Sequence, residues 1–213
     1  DNEILRYYSN IVGKFGVPVQ GILKKLSSTP LKIIASTHGP IYKTILNIEK
    51  MLSLYTRLSN FDAEQGVVIS FASMYGNTEV MAEVIARELC ENGVKNIRIY
   101  DVSKTHASYI IRDVFKYSGL ILGSPTYNMS VHPAMASLVE KLEAAGLKNR
   151  FYGAFGTYTW AGKAANKLYD FGLKLHLNNV YPEVEERAAL KAEKFEECLA
   201  LARAMAEKIN VSI

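Results

Sequence analysis

Two rhythms of apolar and polar residues run along this chain, and they change over near residue 62. In the first stretch, Ile4, Leu5, Tyr8, Ile11 and Val12 recur at helical spacing, Gly16-Val17-Pro18 interrupts them, and Val19, Ile22, Leu23 and Leu26 resume. The pattern predicts a helix or a pair of helices over residues 1–29. Leu31-Lys32-Ile33-Ile34-Ala35 predicts a short strand ending in Ser36-Thr37-His38-Gly39-Pro40. A further helix is expected from about Thr44 to Leu58, with Ile45, Ile48, Leu52 and Tyr55 on one stripe. One strand cannot close a sheet, so this stretch has the make-up of part of a domain. The polar segment Ser59 to Gln65 reads as a connector and divides the chain into 1–62 and 66–213.

From Gly66 onward short apolar runs alternate with helical patterns, which predicts an α/β fold with a parallel sheet covered on both faces. The expected strands are Val67–Ala72, Asn96–Val102, Gly119–Ser124, Arg150–Gly156 and Asn178–Val184. The expected helices are about Thr78–Asn92, Ser108–Tyr117, Pro133–Ala145, Lys163–Leu175 and Ala188–Lys208. Gly119-Leu120-Ile121-Leu122-Gly123 is apolar throughout, as a central strand must be, whereas Arg98 and Asp101 place Asn96–Val102 at an edge. Five strands fit the doubly wound order 2-1-3-4-5, in which ligands bind beyond the strand C-termini where the first and third strands part.

Composition narrows the classes. The 213 residues are 49% hydrophobic with a formal net charge of +4. Residues 1–65 hold 8 Lys/Arg against 5 Asp/Glu, and 66–213 hold 17 against 16. Neither balance attracts nucleic acid in bulk. No run is long and apolar enough for a membrane span and nothing at the start resembles a signal peptide. The chain begins with Asp1 rather than Met, as a partial or processed piece would. Cys90 and Cys198 fall within helical patterns and read as small buried apolar residues. Without a disulfide framework, a reducing cytoplasm is the expected location.

Three loops carry the chemistry. Ser73-Met74-Tyr75-Gly76-Asn77-Thr78 joins a buried strand to a helix start. The first N–H groups of such a helix lack intrahelical partners, and the macrodipole puts partial positive charge there. Ser73, Asn77 and Thr78 add side-chain donors and Gly76 lets the backbone fold closely. No Lys follows the glycine, so the loop suits a monophosphate rather than a triphosphate with its magnesium. The second loop runs from Pro125, Thr126, Tyr127 and Asn128 to Pro133, and the third is Gly156-Thr157-Tyr158-Thr159-Trp160-Ala161-Gly162. Together they bring Tyr127, Tyr158 and the chain's single Trp to one sheet edge, as a flat, electron-poor ring requires.

Residues 66–213 resemble the flavodoxin family, whose phosphate loop for flavin mononucleotide (FMN) has the S/T-x-x-G-N-T form. The resemblance implies that Ser73 to Thr78 hold the phosphate. It also implies that Thr126 to Asn128, with Pro125, and the segment Gly156 to Gly162 hold the ring, flanked by Tyr127, Tyr158 or Trp160. A receiver domain of the same topology needs acidic residues at the ends of strands 1 and 3, where Ala72-Ser73 and Gly123-Ser124 stand instead.

The start of the chain adds a second likeness. Ile33-Ile34-Ala35-Ser36-Thr37-His38-Gly39-Pro40-Ile41-Tyr42, then a helix and a flavodoxin unit, resembles flavodiiron proteins. There a metallo-β-lactamase-like domain with two irons precedes an FMN domain. The resemblance implies that His38 is an iron ligand in an intact diiron site, that a rubredoxin or a reductase donates electrons, that O2 or NO is reduced, and that a head-to-tail homodimer forms. The other ligands, including an H-x-E-x-D-H cluster, are absent from this chain, so flavin and no metal is the expectation here. A free-standing quinone or NAD(P)H reductase and a flavin-free scaffold are the competing readings. Because the two ring loops contain no Asp or Glu, the reduced flavin anion is expected to be little disfavoured and the two one-electron potentials to lie close together.

Overall fold

The computed structural model describes residues 2–211. The chain opens with α1 (Asn2–Tyr7), passes through a π turn (Tyr8–Val12) and a 3₁₀ turn (Gly13–Phe15), and continues as α2 (Gly16–Leu26). The expected strand at Leu31–Ala35 is shorter and has a partner. β1 (Ile34–Ala35) pairs antiparallel with β2 (Ile41–Tyr42) across the Ser36–Pro40 turn, where the Ser36 hydroxyl donates to the Pro40 carbonyl at 2.9 Å. α3 (Ile45–Ser59) follows, N-capped by Thr44. Leu5, Tyr8 and Leu58 are buried together, with Val12, Val19, Leu54 and Tyr55 packed against them.

The rest is one twisted sheet. Its elements are β3 (Glu64–Phe71), α4 (Asn77–Glu91), β4 (Ile97–Asp101), α5 (Ala107–Lys116), β5 (Tyr117–Tyr127), β6 (Ser130–Val131), α6 (Pro133–Ala144), β7 (Phe151–Tyr158), α7 (Ala164–Lys174), β8 (Asn178–Asn179), β9 (Val184–Arg187) and α8 (Ala192–Val211). The order β4-β3-β5-β7-β8, with β9 also parallel to β7, is the expected 2-1-3-4-5 arrangement. β4 lies at the edge and β3 and β5 are central.

Two strands depart from expectation. The fifth is split into β8 and β9 around Val180-Tyr181-Pro182-Glu183, where Pro182 has no N–H to give a ladder. β5 runs on past Ser124 and returns as β6, so the second loop is a hairpin. Its two central residues, Asn128 and Met129, have φ of 46° and 58°, the left-handed geometry of a type I′ turn.

Apolar side chains fill both faces of the sheet. Val67, Ile69 and Phe71 of β3 pack with α4 and α8 on one side. Val68 and Ala72, with Leu120 and Leu122 of β5, pack with α5, α6 and α7 on the other. Cys198 is buried as expected, but Cys90 is exposed: it falls on the solvent side of α4, next to Glu91. Among the described residues, no helix is long and apolar enough to cross a membrane.

Arg150 joins the two parts. Its side chain is 1% exposed at the start of β7. The guanidinium donates to the Val114 and Phe115 carbonyls at the end of α5 (2.8 Å each), and to those of Phe61, Lys148 and Asn149 (3.0 Å each). The carbonyls at a helix C-terminus carry partial negative charge and welcome a cation. Burial pushes the guanidinium down to about 10, partly countered by Asp62.

Candidate functional site

A cleft of about 510 Å³ opens at the C-terminal edge of the sheet, between the ends of β3, β5 and β7. It lies where the strand order reverses, between β3 and β5. The first loop supplies Ser73, Met74, Tyr75, Asn77 and Thr78 to its wall. The second supplies Pro125, Thr126, Tyr127 and Asn128, and the third Thr157, Tyr158, Thr159, Trp160 and Ala161. Gly76, Gly156 and Gly162 do not line it; a β-carbon at Gly156 would meet the Ser124 carbonyl and one at Gly162 the Glu185 carboxylate.

Gly76 N-caps α4 with φ of +86°, a left-handed value that a side chain would oppose. Its N–H donates to the Ser73 hydroxyl at 3.1 Å, which closes the loop. The first intrahelical bond of α4 runs from the Val80 N–H to the Gly76 carbonyl at 2.9 Å. The N–H groups of Asn77, Thr78 and Glu79 precede it, at the positive end of the helix dipole. That is an anion cradle built from backbone.

Hydroxyl groups tie the loops together. Thr78 and Thr157, 1% and 5% exposed, share a hydrogen bond of 2.8 Å between their hydroxyls, linking the first loop to the third. The Thr126 hydroxyl accepts from the Lys163 and Ala164 N–H groups at 3.0 Å each and so caps α7. The Thr126 side chain thereby ties the second loop to the third. The Ser124 hydroxyl accepts from the His132 N–H at 2.9 Å and fixes the base of the hairpin.

The aromatic faces are open. Trp160 is 94% exposed and Tyr75 82%, with Tyr127 and Met129 also exposed beside them. Large apolar groups left bare along one wall of a cleft are what a planar apolar ligand would cover. Tyr158 is half-buried.

The structure adds three residues with no clear mark in the sequence. Met129 lines the cleft because the hairpin turns it there. Ala188, with φ of 60°, lines it from a fourth loop after β9. That loop is tied to the third by the Ala188 N–H to the Tyr158 carbonyl (2.8 Å) and by Arg187 Nε to the Thr159 carbonyl (3.0 Å). Glu185, opposite Gly156 in the β9 register, packs its carboxylate beneath Gly162. The ring loops hold no Asp or Glu of their own, as the sequence has it, but β9 puts a carboxylate under the third. Burial pushes Glu185 up from its ordinary value.

The histidines are separate from this cleft. His38 is exposed in the β1–β2 turn with its ring centroid 5.7 Å from that of Tyr7. Among the described residues no group of three or more His, Cys, Asp or Glu is placed to hold a metal. His132 N-caps α6 and backs Tyr127, with ring centroids 6.2 Å apart, and His106 N-caps α5.

The flavodoxin family pattern matches residues 69–200. The anaerobic nitric oxide reductase flavorubredoxin of Vibrio vulnificus (strain YJ016) is 29% identical over 170 residues, 78% of this chain and 34% of that protein. Among solved structures, rubredoxin oxygen:oxidoreductase from Desulfovibrio gigas superposes with a TM-score of 0.93 at 22% identity. That match covers 98% of this chain and 52% of the other. The flavodiiron protein from Giardia intestinalis superposes with a TM-score of 0.89 at 18% identity, covering 97% and 51%. These two likenesses concern the fold, and they include the N-terminal stretch. The chain spans about a third of the length of the curated relatives it matches.

Proposed function

The chain belongs to the flavodoxin family, and from that premise we propose that it is the FMN-binding, electron-transferring part of a flavodiiron-type oxidoreductase. The observation that carries this reading is the cleft itself, in which a helix N-terminus suited to an anion stands beside uncovered aromatic faces. FMN, when bound, supplies the redox chemistry. The chain's residues bind, orient and shield it.

Asn77, Thr78 and the first N–H groups of α4 would take the phosphate, with Ser73 and Gly76 holding the loop closed. Pro125 to Asn128 and Gly156 to Gly162 would hold the ring through backbone groups, with Tyr127, Tyr158 or Trp160 against its faces. The Thr126 cap on α7 and the Thr78–Thr157 bond keep the loops in register with one another.

Residues 1–62 are, in this reading, the C-terminal piece of a metallo-β-lactamase-like domain. His38 then serves as an iron ligand only where the rest of a diiron site is present. Electrons would reach FMN from a rubredoxin or a reductase and pass on to O2 or NO reduction in the larger protein, as a homodimer in the cytoplasm. The names of the relatives support this choice of reaction class.

Titration of the chain with FMN tests the reading. Tight binding with strong quenching of flavin fluorescence is expected, and Trp160→Ala should weaken the binding severalfold and restore emission. A chain that stays colourless after incubation with excess FMN would refute the assignment.

A further inference from the structure

Glu185 does not line the cleft, yet the fold places its carboxylate at the back of the ring loop. β9 sets Glu185 opposite Gly156, the first residue of that loop, and the side chain reaches to Gly162, the last. A β-carbon at Gly162 would run into both carboxylate oxygens, so the glycine is what lets the loop lie directly on the acid. Ala161, next to it, lines the cleft. Glu185 Oε1 is buried and, among the described residues, has no hydrogen-bond partner. Its neighbour Glu186 is fully engaged by contrast, accepting from the Lys191 ammonium and from the Arg187 and Lys191 N–H groups.

We propose that Glu185 takes up the second proton when bound flavin is reduced, so that the ring and the carboxylate beneath its loop share one negative charge between them. The proposal rests on the flavin reading above. Reduction of the ring to its anionic form would take two electrons, from the rubredoxin or reductase of the reading above, and one proton. The second proton, from solvent, binds the Glu185 carboxylate, and the net charge of the site returns to one unit more positive than with both groups ionised.

The surroundings bias the acid towards this role. Burial disfavours its ionised form most, and Glu183, from the approach to β9, adds to that. The Ala165 and Lys163 N–H groups and the Lys163 ammonium at the start of α7 oppose it without overcoming it. Arg187, two residues along β9, directs its Nε to the Thr159 carbonyl instead. A new negative charge on a ring held by this loop would raise the proton affinity of Glu185 further. Glu185 as a residue is half-buried, although its Oε1 is buried.

The test compares wild type, Glu185→Gln and Glu183→Gln, each loaded with FMN and reduced by dithionite. Midpoint potential is followed against pH, and proton uptake is read with an indicator dye. Glu185→Gln should favour reduction at least tenfold at neutral pH, about 30 mV for a two-electron couple, take up fewer protons, and flatten the pH dependence. Glu183→Gln should change each quantity less. A second readout needs no flavin. A carboxylate whose folded-state value is raised makes stability fall as pH rises from the unfolded value through the folded one. Flavin-free Glu185→Gln should therefore be more stable than wild type at pH 8, with the gap closing on acidification. Unchanged potential and proton uptake in Glu185→Gln, or an equal shift in Glu183→Gln, would overturn the proposal while leaving flavin binding intact. Failure of the wild type to bind FMN would instead remove the reading beneath it, and this inference as well.

Discussion

The stretch before residue 60 and the sheet after residue 64 meet the same solvent with opposite success. Among the described residues up to 46, nine large apolar side chains are exposed, Ile11, Val17, Ile22, Ile45 and Leu46 among them. Among the described residues there, Leu5, Tyr8 and Leu58 form a buried cluster and Ile48 is buried apart from it. The sheet instead buries both faces, and Val67, Val68, Ile69, Leu120 and Ile121 are wholly inaccessible. Hydrophobic stabilisation follows area removed from water, so the second region can carry its own conformational entropy and the first cannot. What the first region has is a seam with α5. Asn10 donates to the Ser108 carbonyl at 3.1 Å, the Arg6 guanidinium lies 4.8 Å from the Tyr109 ring centre, and Gly13 lies against the Phe115 ring. The difference shows that helical periodicity does not make a domain; an opposing layer does.

Cutting the chain puts that contrast under the greatest strain. Residues 1–60 expressed alone should be unfolded by circular dichroism, whereas 61–213 should retain cooperative unfolding and FMN binding. A stable, cooperatively melting 1–60 peptide would refute the contrast.

Next in size is the joint. Arg150→Met removes a buried donor to five backbone carbonyls and leaves those at the end of α5 without it. A loss on the order of 4 kcal/mol is expected in urea denaturation, since each unsatisfied buried group costs about 1–3 kcal/mol. A change below about 1 kcal/mol would mean that water replaces the guanidinium.

Within the cleft, Asn77→Ala and Thr78→Ala should each lower FMN affinity roughly tenfold, and Asn77→Ala should spare riboflavin, because each removes a charge-assisted donor of about 1.5–3 kcal/mol. Thr78→Ala also breaks the bond to Thr157, so it should slightly weaken riboflavin as well. Equal losses for the two flavins would move the phosphate elsewhere.

The smallest effect belongs to the exposed face. Val17, 85% exposed on α2, has nothing to lose on folding. Val17→Ser should change stability by no more than about 0.5 kcal/mol. A larger loss in the monomeric chain would show that this face is covered in solution.

Much of this was legible in sequence because it is local. An apolar run between polar turns marks β3 or β5 wherever it sits, and the alternation with helical patterns limits the topology to very few choices. The Ser73–Thr78 loop is equally local: a strand end, a glycine and a helix start are consecutive residues. The strand-to-helix loop and the sheet order were therefore readable from the chain alone, as was the placing of three loops at one edge. Tertiary structure alone decided what is brought together from a distance. Glu185 lies 23 positions beyond Gly162 in the chain but directly beneath it in space, and Ala188 reaches the cleft only because β9 pairs with β7. Arg150 looked like the ordinary start of a strand until α5 and Phe61 surrounded it with carbonyls. Sequence pattern reports which face of each element avoids water. It carries no record of which remote polar group will share that face, and the charge around a site is set by those groups.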